Sequence, residues 1–271
     1  MPLQDLELEK LELKYLDKLE SLIRQNLNEI LERLRSRFPI FSDWYPAFRA
    51  TARKGYIATD LDKGAEKVFG FFLSKLNWKP VAVPIASDFM YETEDAFIHV
   101  EIKTALVTNP SDYRGLFDIG ENQTSFDPKL GKRFTPRLPQ YYNKNTPNEK
   151  PFLTYAIQIV HVDAYRVISR GLDQNPVFII LVAIPNGQLQ SHYITGVVRK
   201  GKQKRGHFRY KWLGDLIFRI IKNSTGKTIE RVRIIYLNHN YQNKIIGKVK
   251  IDFNKWFSFR GGLTQFLRNV P

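Results

Sequence analysis

Two carboxylates and an amine carry the strongest chemical signal in this sequence. They are Asp88, in Ser87-Asp88-Phe89, and Glu101 and Lys103, in Val100-Glu101-Ile102-Lys103. Side chains two apart in a strand share a face. Glu101 and Lys103 therefore point one way, and Val100 and Ile102 point into the opposite face. A hairpin turn at Tyr91–Asp95 folds the preceding strand back and brings Asp88 beside Glu101. Two carboxylates hold a hard divalent cation such as Mg²⁺, which takes oxygen ligands. A cation there polarises a phosphodiester and lowers the pKa of a bound water. The lysine orients or deprotonates that water and offsets developing negative charge. The plainer alternative is an ion pair on an exposed strand edge. Glu92, Glu94 and Asp95 also lie between Asp88 and Glu101. They fall in the expected turn, where acidic residues serve local hydrogen bonding. Turn-tip side chains point away from the sheet end that holds Glu101, which favours Asp88.

Several elements must position these groups. Residues 4–36 form an amphipathic helix, with Leu8, Leu11, Tyr15, Leu19, Leu22, Leu27, Ile30 and Leu34 near a 3.6 period and Pro39 beyond its end. It is either an ordinary core helix or a dimerisation helix. A second helix runs from about Asp60 to Leu76, with Ala65, Val68, Phe69, Phe72, Leu73 and Leu76 as its buried stripe. The period then changes to two. Val81–Met90 and Phe97–Val107 read as strands, residues 108–151 as a long polar loop, and Phe152–His161 and Val177–Ile184 as further strands. The last is a continuous apolar run, as in a strand buried on both faces. Ile194–Val198 and His207–Trp212 flank a basic loop, and a helix near Leu213–Lys222 and a strand near Arg231–Leu237 follow. The expected architecture is one α/β domain over 1–271, with a central mixed sheet flanked by helices. Residues 1–50 are its helical extension, 51–185 its catalytic core and 186–271 its basic region.

The charge is as uneven as the elements. Residues 1–50 hold 8 basic and 9 acidic residues, a net of −1, whereas residues 199–260 hold 17 basic and 3 acidic, a net of +14 of the chain's +15. A concentrated basic surface points to a polyanion, nucleic acid foremost. The segment Arg199-Lys200-Gly201-Lys202-Gln203-Lys204-Arg205-Gly206-His207-Phe208-Arg209 reads as a glycine-hinged hairpin loop. Arg199, Lys200, Lys202, Gln203, Lys204, Arg205 and Arg209 are its expected DNA contacts, to phosphate before bases. The polar stretch Glu121–Tyr142 is a second candidate contact surface, through Asn122, Gln123, Arg133, Arg137 and Gln140. The plainer alternative for each is an ordinary solvated loop.

Other chemistry is excluded or unsupported. The chain has no cysteine, which removes disulfides, thiol catalysis and cysteine-ligated zinc. The five histidines form no pair spaced for zinc; His99 lies on the Glu101 face by parity and reads as a packed or hydrogen-bonded histidine, with a place bordering the site as the alternative. No glycine-rich phosphate loop is present, so no nucleotide cofactor is expected. No apolar run approaches the roughly 20 residues of a membrane span. The N-terminus lacks a secretory pattern, so an intracellular protein with no membrane partner is expected.

Asp88, a spacer, and Glu101-Ile102-Lys103 together resemble the PD-(D/E)xK nuclease motif. The order of elements resembles type II restriction endonucleases: a helix, the motif hairpin, a long polar loop, a buried strand and a basic C-terminal region. That order covers residues 55–185, while the residue-level match is confined to the motif. Ser87 stands where the motif has proline. Asn122-Gln123-Thr124-Ser125 is similar to a polar stretch that follows the motif in some restriction enzymes. The resemblance implies a restriction-endonuclease-like core and a site-specific deoxyribonuclease that hydrolyses duplex DNA with Mg²⁺, or Mn²⁺ as substitute. Asp88, Glu101 and the Ile102 carbonyl would hold the metal, with Glu66 as an additional helical acid, and Lys103 would position or activate the attacking water. It also implies 5′-phosphate products, a homodimer on a symmetric site and a prokaryotic cytoplasm. The rival readings are a structure-specific repair or junction nuclease on the same core and a non-catalytic nucleic-acid-binding protein.

Overall fold

The N-terminal leucine stripe folds into a helix, α1 (Asp5–Gln25), and the chain turns at Asn26. Both the amide and the side-chain amide of Asn26 donate to the Leu22 carbonyl, at 3.2 and 2.8 Å. That asparagine leaves helical geometry, and a second helix, α2, resumes over 27–35. The single long helix expected is therefore two, because a side chain competes for the backbone acceptor at the junction. The stripe is buried inside this chain: Leu8, Tyr15, Leu16, Leu19 and Ile23 of α1 and Ile30 of α2 join the main core. The computed structural model describes residues 2–35, 60–82, 88–109, 112–113, 116–127, 134–162, 176–193, 198–200, 207–211, 216–241, 245–246 and 249–250. Arg133, Lys202, Gln203, Lys204 and Arg205 lie outside them.

Helix α3 (Asp60–Leu73) ends in a 3-10 turn, Ser74–Leu76, closed by Asn77 at φ 54°. The strands are β1 (Lys79–Pro80), β2 (Phe89–Glu92), β3 (Phe97–Leu106), β4 (Leu116–Gly120), β5 (Tyr141–Tyr142), β6 (Lys150–His161) and β7 (Pro176–Ile184). They continue with β8 (Val198–Lys200), β9 (His207–Lys211) and β10 (Val232–Leu237), and a short pair, Ile245–Ile246 with Val249–Lys250, follows. The main sheet runs β1-β2-β3-β6-β7-β10, with β5 paired to β6. Only β3 and β6 run parallel; the other pairs are antiparallel, so the sheet is mixed as expected.

The two faces of β3 divide the labour. Ile98, Val100 and Ile102 share a face with Leu153, Tyr155 and Ile157 of β6. Helix α1 covers this face, where the Tyr155 hydroxyl donates to the Glu12 carbonyl. Phe89 pairs with Val100 and meets α3 at Gly70, where a Cβ would press on the Phe89 ring. His99, Glu101 and Lys103 share the other face with Thr154, Ala156 and Gln158. A small second core of Met90, Phe97 and Phe152 closes the His99 end of that face. At the Lys103 end the buried Gln158 side chain donates to the Asp112 carbonyl, and the Lys103 side chain stays 22% exposed.

Elsewhere the structure adjusts the expected boundaries. The hairpin turn sits at 93–96, starting two residues later than expected and ending one later. The Thr93 amide donates to the Ala96 carbonyl, and the Thr93 hydroxyl accepts from the Ala96 amide. The expected irregular stretch 108–151 contains β4, a 3-10 turn (Glu121–Gln123) and β5. Strand β4 belongs to a second sheet, β4-β9-β8, with the basic hairpin. The helix expected near 213–222 begins only at Arg219 and runs to Thr225, as α4, because Phe218 still pairs with Ile229 in extended backbone.

The 3-10 turn Gly187–His192 locks this region. The Gly187 amide donates to Ser125 Oγ at 2.9 Å, and a Cβ at Gly187 would fall on the Ser125 carbonyl, well inside contact distance. Backbone cannot yield there as a flexible side chain would. Gly187→Ala should lower stability by about 1–3 kcal/mol. Its urea midpoint, measured against wild type, checks this.

Candidate active site

The end of the β2 ladder positions the first carboxylate. Phe89 pairs with Val100, so Asp88 lies beside Glu101 one rung beyond the strand. Asp88 Oδ2 accepts from the Ile102 amide at 2.7 Å, taking the place of a partner-strand carbonyl. The N–H and C=O of one strand residue face the same edge. The Ile102 carbonyl therefore lies on the Asp88 side of β3. Glu101 is 1% exposed, and Lys103 Nζ stands 3.6 Å from its Oε2. On the buried side His99 Nε2 lies 3.6 Å from Glu101 Oε1.

Burial dominates the electrostatics. It pushes the Asp88 carboxyl up to about 6, helped by the Glu101 carboxylate in contact with it, while the Ile102 amide and Lys103 pull the other way. Burial raises Glu101 too, against the pull of Lys103, Asp88 and Gln123. His99 is pushed down to about 3 by burial and by Lys103, so it is a neutral imidazole at pH 7. Two adjoining carboxylates, both raised, form a site that a cation would relieve. Glu101 Oε1 is buried and has no hydrogen-bond partner among the described residues, an acceptor that a cation would satisfy. The donor set, two carboxylates and a carbonyl, is all oxygen and suits Mg²⁺.

The chain around this site settles its kinship. Residues 4–165 match the family described as type II restriction enzyme MwoI, N-terminal domain, and residues 177–237 match the central domain of the same enzyme. The chain belongs to the MwoI family of type II restriction enzymes. It is accordingly a sequence-specific restriction endonuclease. Two solved structures share its fold. One is the restriction endonuclease BglI bound to its DNA recognition sequence, with TM-score 0.61 and 18% identity over 84% of this chain and 90% of that one. The other is tetrameric SfiI bound to cognate DNA, with TM-score 0.59 and 13% identity over 88% and 87%. At those identities the likeness is one of fold. No curated protein matches the chain. The main sheet of this MwoI-family enzyme passes through both matched segments, since β6 and β7 are neighbours.

The expected site residues divide sharply. Asp88, Glu101, Ile102 and Lys103 come together. Asp95, the rival to Asp88, does not join them. It binds the Tyr15 hydroxyl and Lys14 of α1, and these hold its carboxyl below the usual value although burial alone would raise it. Glu66, half-buried on α3, does not complete a metal group with Asp88 and Glu101; among the described residues no three His, Asp or Glu surround one metal position. Asn122 lies in the turn Glu121–Gln123. Arg137 is exposed and pairs with Glu121 at 3.2 Å. The Gln140 carbonyl accepts from Phe152 N and Asn186 Nδ2, which ties its backbone to the start of β6. Arg199 and Lys200 lie in β8 and Arg209 in β9, with Arg199 and Arg209 in register. No helix among the described residues is long and apolar enough to cross a membrane.

Sequence reasoning placed Gln123 among the DNA contacts, and the structure gives it another partner. Gln123 Oε1 accepts from Lys103 Nζ at 2.9 Å. The only signal in the sequence was its residence in the polar stretch after the motif.

Proposed function

We propose that this restriction endonuclease hydrolyses phosphodiester bonds of duplex DNA with Mg²⁺, as a homodimer, at the Asp88–Glu101–Lys103 cluster. The observation that carries the reading is the contact of two carboxylates, both raised by burial, with an ammonium 3.6 Å from one of them. Asp88, Glu101 and the Ile102 carbonyl would hold the cation. When bound, it supplies Lewis-acid polarisation of the phosphodiester and a more acidic water. Lys103, partly exposed beside Glu101, holds the attacking water and offsets charge growing on the phosphoryl oxygens. Water adds to phosphorus, the 3′-oxygen leaves, and the products carry a 5′-phosphate and a 3′-hydroxyl. The basic residues of β8, β9 and the loop between them, Arg199 to Arg209, contact the DNA backbone. Two-fold symmetry would match a symmetric recognition site.

Digestion of a long unmethylated duplex, with Mg²⁺ and with EDTA, tests this. Discrete bands that require Mg²⁺ are expected. A smear would favour a structure-specific or non-specific nuclease, and intact DNA that remains protein-bound would favour a binding module. Asp88→Asn should abolish the bands. Asp95→Asn should keep them and lower the melting temperature by a few degrees at most, since it weakens only the bonds to Lys14, Tyr15 and Thr93. The opposite pattern would move the first carboxylate to Asp95.

A further inference from the structure

One oxygen atom joins the two sheets. Gln123 Oε1 accepts from Lys103 Nζ at 2.9 Å and from the Gly120 amide at 2.8 Å. Gly120 is the last residue of β4, and Gln123 is the last of the turn that follows it directly. The Gln123 side chain also pulls the Glu101 carboxyl down, against the push of burial. It therefore reaches Lys103 of β3 from the turn that follows β4, a strand of a different sheet. That turn is itself held: the Arg137 amide donates to the Glu121 carbonyl at 2.8 Å, and the Thr135 amide to Glu121 Oε1 at 3.2 Å. Thr124 and Ser125, next along, are buried. A side chain on so anchored a turn has little freedom to move independently of β4.

Strand β4 leads in turn to the basic hairpin. Gly120 pairs with His207 and Asp118 with Arg209, and Arg209 pairs with Arg199 on β8. The chain of contacts thus runs from β8 and β9, through the β4 ladder, to Gly120, Gln123 and Lys103. Lys103 has a four-carbon flexible stem and is 22% exposed, so its head needs an external anchor to stand in one place. Glu101 alone, at 3.6 Å, is beyond a short hydrogen bond.

We propose that Gln123 is the positioning residue through which the β4-β9-β8 sheet sets Lys103, so that DNA seated on the hairpin places the amine for reaction. This rests on the reading of Lys103 and the hairpin given above.

Gln123→Met keeps the volume and removes both hydrogen-bonding groups, while Gln123→Glu keeps an acceptor for Lys103. The substrate is a duplex fragment carrying one cut site mapped with wild-type enzyme. At saturating enzyme, Gln123→Met should slow single-turnover cleavage about 10–100-fold, with the melting temperature and the Kd measured in Ca²⁺ unchanged. Gln123→Glu should retain more of the rate. Arg209→Ala should slow cleavage at saturation in the wild-type background and have little further effect in Gln123→Met. A weaker Kd with full single-turnover rate would make Gln123 a DNA contact and overturn the proposal. So would additive effects of the two substitutions, or a rate loss matched by a loss of thermal stability. Wild-type enzyme that fails to cleave with Mg²⁺ would instead refute the functional reading itself.

Discussion

Glu101→Gln should reduce cleavage by at least about a thousandfold, the scale on which loss of a group acting on transition-state charge is felt, while the protein stays folded. Glu101 is 1% exposed, and burial raises its carboxyl against the pull of Lys103, Asp88 and Gln123. A raised carboxyl costs stability once it ionises: the cost is absent below the unfolded value of 4.5 and grows as pH rises above it. An amide of the same size is free of that cost. Thermal melts in EDTA should therefore show Glu101→Gln at least as stable as wild type at pH 7, with any advantage vanishing near pH 4. Binding to duplex DNA in EDTA should tighten, because one negative charge facing the phosphates is gone. Lost activity with unchanged or improved stability and binding separates a chemical role from a structural one. A Glu101→Gln enzyme that cleaves at half the wild-type rate would exclude Glu101 from the chemistry.

What the sequence revealed of this site follows from how local its determinants are. The alternation His99-Val100-Glu101-Ile102-Lys103 is a property of one strand, and parity alone placed Glu101 and Lys103 on the polar face. That Asp88 rather than Asp95 lies beside Glu101 was also legible, because it needed only the hairpin. The run Val177–Ile184 announced a strand covered on both faces, and β7 is buried throughout. What escaped were contacts between segments far apart in the chain. Strand β4 is short, carries a glycine at its end and pairs with β9 some ninety positions later, so no local period marks it. The bond from Lys103 to Gln123 depends on that pairing. Two buried glutamates were equally hidden. Glu9 and Glu12 flank the apolar stripe of α1 and look like ordinary solvated positions. Their partner, Arg231, comes from the other end of the chain.

That partner is the reason Arg231→Met should be the most destabilising single change, by about 3–5 kcal/mol, the cost of leaving buried charge uncompensated. Arg231 is fully buried and donates to Glu12 Oε2 at 2.5 Å and Glu9 Oε1 at 3.2 Å. It also donates to the Tyr193 hydroxyl, which itself hydrogen-bonds Glu9, and lies over the Tyr193 and Phe218 rings. The network fastens α1 to β10 and to α4, where the Ile221 amide donates to Glu9. Burial raises the Glu12 carboxyl, and Arg231 is the main group pulling it back. Without the guanidinium that carboxyl rises further, so the variant's deficit must grow as pH rises above the unfolded value of 4.5 and shrink as pH falls toward it. Urea melts at pH 7 and pH 4.5 check both size and sign. An apolar replacement of all three, Glu9→Leu, Glu12→Met and Arg231→Met, should recover part of the loss. It cannot recover all of it, because the Ile221 and Asn186 amides, which donate to Glu9 and Glu12, would lose their acceptors. A single substitution that costs the same at both pH values would mean that Arg231 acts through its packing on Tyr193 and Phe218 rather than through its charge.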